Sequence, residues 1–150
     1  MSADRGAVAV ARIDALPEIE AWLVRALRLW SDGATGQALL AADLTRRFGS
    51  ARANTMTARF DDLMGLFLTH ARRAPRRHSS ECICVGADEA IFANFVTTAA
   101  VGEREDATLM AMLLLRAEVA PIAVSLAQTL GLDLRAGIGV AGRRLDRALH

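Results

Sequence analysis

Two histidines and both cysteines of the chain fall close together, as His70, His78, Cys82 and Cys84 in the pattern H-x7-H-x3-C-x-C. Thiolate and imidazole are the ligands that suit zinc, and four of them close a tetrahedral shell. The expectation is therefore one structural Zn2+ on these four residues. His78 would fold back over Ser79 and Ser80. His70 must return across Pro75, so Asp88 or Glu89, which follow directly, would stand in for it. The spacing is not the C-x2-C of zinc fingers and ribbons.

Two other readings compete. In one, Cys82 and Cys84 are small buried hydrophobes at the start of a helix. In the other, the same residues form an enzyme site, either as an open metal centre or with Cys84 as a thiolate activated at a helix N-terminus. Asp88 or Glu89 would then serve as base. A disulfide between Cys82 and Cys84 is disfavoured, because C-x-C closes a small, strained ring.

Helices must position this stretch. Pro17 fits a first turn, and Ile19, Trp22, Leu23, Ala26, Leu27 and Trp30 recur at helical spacing until Asp32 and Gly33. A second helix is predicted over about 35–48, with Leu40, Leu44 and Phe48 on one stripe, and Gly49 breaks it. The third runs from Ser50 to about Arg72, burying Ala53, Met56, Phe60, Leu63, Met64 and Phe67. Pro75 stops it among Arg72, Arg73, Arg76 and Arg77, a basic turn suited to a phosphate or an acidic partner.

Asp88 and Glu89 favour a helix start, and residues 87–101 are apolar nearly all round. The acidic Glu103, Glu105 and Asp106 open a fifth helix that leads into LMAMLLL at 109–115. Pro121 opens a sixth, with Gly131 as its C-cap. Residues 1–13 and about 135–150 read as flexible tails. No alternation is long enough for a sheet. The fold class is all-α: about six helices in one bundle, with helices four and five in the middle.

Composition narrows the function. The net charge is +1, and all 18 basic residues are arginine. That balance gives no broad attraction to nucleic acid or to an anionic membrane. Alanine and arginine usage reads as the codon bias of a GC-rich bacterial genome. The longest uncharged runs, 90–102 and 119–132, are shorter than the roughly 18–20 residues that span a bilayer. With no signal-peptide pattern at the start, the expected compartment is the cytoplasm. A hydrophobic fraction of 53% with two all-round apolar helices predicts a homodimer.

Three motifs bear on alternatives. Gly137, Gly139 and Gly142 match G-x-G-x-x-G but lack the strand and acidic partner of a dinucleotide site. Residues 44–53, with Gly49 in the turn and Arg46, Arg47, Arg52 and Arg59 around it, have the outline of a helix-turn-helix; Ser50 and Thr55 stand where its apolar anchors fall. Glu81-Cys82-Ile83-Cys84 resembles the Glu-Leu-Cys-Val-Cys metal-sensing segment of the arsenic- and zinc-responsive repressors. The resemblance covers four residues. It implies thiolate metal sensing by a DNA-binding regulator, although here the cysteines follow the hairpin that they precede in that family. The reading adopted is a small interaction or regulatory module with a structural zinc. A metal- or thiol-dependent enzyme and a metal-responsive regulator are the alternatives.

Overall fold

Glycine and proline punctuate the chain where the sequence places them, and apolar periodicity fills the space between. The computed structural model describes residues 5–149, with side-chain surroundings up to Ile138. A short 3-10 turn (Arg5–Ala7), strand β1 (Ala9–Arg12) and a second 3-10 turn (Ile13–Ala15) lead into helix α1 (Glu18–Ser31). Then come α2 (Ala34–Phe48), α3 (Ser50–His70), strand β2 (Cys84–Gly86), α4 (Ala87–Ala100), α5 (Arg104–Leu114) and α6 (Ala120–Leu149). Gly49 alone joins α2 to α3. Its φ of 82° lies in the left-handed region that glycine enters without steric cost, and this permits a one-residue link.

The bundle is all-α apart from a two-stranded ribbon, and α4 and α5 pack centrally. Helix α4 packs against α1, α5 and α6. It buries Phe92, Ala93, Phe95, Val96, Ala99 and Ala100, the all-round burial that its composition demands. A chain of edge-to-face aromatics crosses the core. Trp22 meets Phe60 at 6.4 Å, Phe60 meets Phe92 at 6.3 Å, and Phe92 meets Phe67 at 5.6 Å. Truncating a ring so placed costs about 3–5 kcal/mol.

Three features differ from the sequence reading. Gly131 does not cap a helix; α6 continues through it to Leu149. A Cβ at Gly131 would stand 2.7 Å from Ala100 Cβ and 2.9 Å from the Val96 carbonyl oxygen, so the missing side chain lets α6 lie close on α4. Gly137 likewise faces the Phe48 ring. It belongs to helix packing and not to a nucleotide loop. Third, β1 and β2 pair antiparallel, with Ala11 opposite Val85 and Arg12 opposite Cys84. Strands of four and three residues are too short to show alternation, and a lone ribbon is marginal in water. This one is held from outside: the Ile13 amide donates to the Ile83 carbonyl at 2.8 Å, and the Ala87 amide to Val8 at 3.0 Å. Residues 1–4 of the expected N-terminal tail, and His150, lie outside the described residues.

Candidate functional site

Residues 71–83 form a long irregular segment before α4, and the buried charged side chains Arg28 and Asp88 bond to it. Thirteen residues without regular structure need their backbone groups satisfied and their course fixed. The first turn of α4 does both. Its free amides favour carboxylates at Asp88 and Glu89, and both side chains are buried.

Glu89 meets Arg28 of α1. Arg28 Nε donates to Glu89 Oε2 at 2.6 Å and Nη2 to Oε1 at 3.0 Å, and neither side chain is exposed to solvent. The same guanidinium reaches the segment itself: Nη1 donates to the Cys82 carbonyl and Nη2 to the Cys84 carbonyl, each at 2.6 Å. Glu89 Oε1 also accepts the Gly86 amide at 3.0 Å. One planar fork thus ties α1, α4 and the entry to β2 together, which the point charge of a lysine would not do.

Asp88 holds the other half. Arg73 grips it with two bonds of 2.8 and 2.9 Å, and the Arg76 amide donates to Oδ2 at 2.7 Å. A Cβ at Gly6 would collide with this carboxylate, so glycine there lets the N-terminal turn close over it. Further out, Asp32 accepts Ser80 Oγ at 2.6 Å and pairs with Arg77 at 2.8 Å. The Ser80 hydroxyl, followed by Arg77, holds the Asp32 carboxyl below its ordinary range. Arg72 turns the opposite way. Its Nε donates to the carbonyls of Met112 and Leu115 at 2.7 and 3.0 Å, satisfying the C-terminal end of α5. The basic turn is therefore a set of clamps: Arg72, Arg73 and Arg77 each have a partner inside the chain.

This arrangement overturns the structural zinc. Among the described residues no group of three or more His, Cys, Asp or Glu is placed to hold a metal ion. Asp88 and Glu89 carry arginines. His70 ends α3, its carbonyl accepting the Arg116 amide at 3.0 Å, where that helix joins the end of α5. Cys84 lies in the ribbon opposite Arg12. Only His78 and Cys82 come together, with Sγ 3.8 Å from Nδ1. The cysteines do not start a helix either: Cys82 follows a turn and Cys84 begins β2, and both are free and half-buried. Asp88 and Glu89, paired with arginines, are not poised as bases for Cys84.

The arginines of the helix-turn-helix outline are also engaged. Arg46 and Arg47 bond Asp43, Arg59 bonds Asp133, and Arg52 lies 5.5 Å from the centre of the Phe48 ring. Asp43 is pushed up by partial burial. Its bonds from Trp22 Nε1, at 2.8 Å, and from both arginines outweigh this and hold its carboxyl below the usual range.

Sequence reasoning missed Arg28, although a signal existed. Ala21, Val24 and Arg28 lie on one helical stripe, so an arginine stood on a buried face. The fold is an all-α bundle of six helices, stapled at one end by a ribbon and a buried arginine–carboxylate network. Comparison with protein-family models, with curated proteins and with solved structures returns no match.

Proposed function

We propose that this chain is a small helical interaction module that pairs with a second copy of itself through α5. The observation that carries the reading is the exposed stripe of that helix. Leu109 and Leu113, one turn apart, are each 64% exposed, while Ala107, Ala111 and Leu114 face the core. The exposed charges around it are mixed: Glu103, Arg104, Glu105 and Asp106 at its start, and Arg72, Arg116 and Glu118 near its end.

The leucine pair is self-complementary when two copies run antiparallel. A two-fold axis at the level of residue 111 sets Leu109 of one copy against Leu113 of the other. An isologous contact needs this kind of self-matching patch. Meanwhile the buried polar network offers nothing to an external substrate: among the described residues no buried side-chain nitrogen or oxygen lacks a partner. That favours a structural task for Arg28, Asp88 and Glu89. No helix among the described residues is long and apolar enough to cross a membrane. The reading puts the protein in the cytoplasm, where both thiols stay reduced.

Light scattering over a wide concentration range tests it. The expected mass is twice the 16.1 kDa of the chain. Leu109→Arg with Leu113→Arg should give a folded monomer whose melting temperature no longer depends on protein concentration. A wild-type monomer at every concentration, or a dimer that survives the leucine changes, would end the proposal.

A further inference from the structure

We infer that Cys82 is a reactive thiol, with His78 as its base, and that it undergoes exchange with small-molecule disulfides. The argument begins with the imidazole. His78 Nε2 lies 2.9 Å from the Ala7 carbonyl oxygen. A carbonyl only accepts, so Nε2 carries the proton, and the neutral ring then presents Nδ1 as a lone-pair acceptor. Cys82 Sγ stands 3.8 Å from that nitrogen, the long end of a thiol hydrogen bond. Nucleophile, base and orienting acceptor thus occur in the order that thiol catalysis requires.

Three neighbouring features hold the pair. Arg28 fixes the Cys82 carbonyl, and the Cys82 amide donates to the Ser79 carbonyl at 3.0 Å, so the backbone under the sulfur is pinned on both sides. Gly86 makes room for the ring: a Cβ there would lie 3.2 Å from His78 Cδ2 and 3.3 Å from Nε2. Glu81 and Ile83, on either side of the cysteine, are exposed, which leaves an approach from solvent.

The same geometry selects the reaction. Acyl transfer to a cysteine needs amide donors for an oxyanion, and the nucleophile's own N–H is one of the donors in the serine-protease arrangement. Here that N–H is bound to Ser79. Disulfide exchange needs no such donors. His78 Nδ1 takes the thiol proton, and the Cys82 thiolate attacks one sulfur of a disulfide R–S–S–R. The S–S bond breaks as the Cys82–S–SR bond forms. The departing thiolate takes the proton from His78 and leaves as R–SH; an acidic aryl thiol leaves as the thiolate, and His78 then gives its proton to water. Electrons and protons balance without another reagent.

The test uses 5,5′-dithiobis(2-nitrobenzoate), itself a disulfide, whose coloured thiolate product is read by absorbance. In the Cys84→Ser variant, Cys82 should react at pH 7 about tenfold faster than in the same chain unfolded in urea, because an unassisted thiol is only a few per cent ionised there. His78→Gln keeps an N–H for Ala7 and removes the basic nitrogen, so it should abolish the advantage. In the Cys82→Ser variant, Cys84 should be unaffected by His78→Gln. Simple loosening of the loop would accelerate both thiols, the opposite result for Cys82. A folded-state rate at or below the unfolded one, or a rate insensitive to His78→Gln, overturns the inference. This outcome is independent of the oligomeric state.

Discussion

Replacing Glu89 by glutamine tests the buried network at its centre. The change keeps the shape of the side chain and removes its charge, leaving the Arg28 guanidinium unexposed beside a neutral amide. Breaking one partner of a fully buried pair costs about 3–5 kcal/mol, because the remaining charge is left uncompensated. Stability for a domain is about 5–15 kcal/mol, so the loss is a large share. At this chain length each kcal/mol moves the melting temperature by about 2–4 °C, giving an expected drop of about 6–20 °C. Arg28→Met should cost at least as much. It strands the Glu89 carboxylate and also orphans the Cys82 and Cys84 carbonyls, at about 1–3 kcal/mol for each buried group left unpaired. Changing both residues to methionine should recover part of the loss, since no buried charge remains. It should stay below wild type, because those carbonyls and the Gly86 amide still lack partners. Thermal and urea unfolding followed by circular dichroism measure all three. Either single variant lying within about 0.5 kcal/mol of wild type, the range of an ordinary surface change, would refute the account.

Two helical glycines should respond in opposite directions. Gly65→Ala in α3, where an added Cβ meets nothing within 4 Å, should stabilise by up to about 1 kcal/mol. Gly131→Ala should destabilise despite the same propensity gain, because its Cβ would push α6 off Ala100 and the Val96 carbonyl; equal shifts in melting temperature would contradict this. Asp88→Asn should weaken the grip of Arg73 on the loop, seen as faster proteolysis between residues 71 and 83 while the helices keep their circular dichroism. Asp43 has a folded pKa below its unfolded value, so its contribution is present above about pH 4 and is lost as pH falls through the folded value. Melting temperatures between about pH 5 and pH 2 should fall less steeply in Asp43→Asn than in wild type.

Much of the helical frame is local information. Helical recurrence of Trp22, Leu27, Phe60 and Phe92, with breaks at Gly33, Gly49 and Gly102, states which segments coil and which faces are buried. That is legible because helical neighbours sit three or four residues apart. Asp88 and Glu89 at a helix start were legible for the same reason, and the stretch from His70 to Glu89 does hold the polar centre. The partners of those carboxylates were not legible. Thiols, imidazoles and carboxylates in one short stretch read as a zinc shell. The tertiary structure instead carries Arg28 to Glu89 from 61 residues away, and Arg73 to Asp88 back across the loop. It also sets His78 between Ala7 and Cys82, and turns Gly131 from a helix stop into a helix contact. A carboxylate binds whatever cation reaches it with the best geometry. Which one arrives is a matter of distance in space, determined by how α1, α4 and α6 pack, and only neighbours within a turn or two leave that distance written in the order of residues.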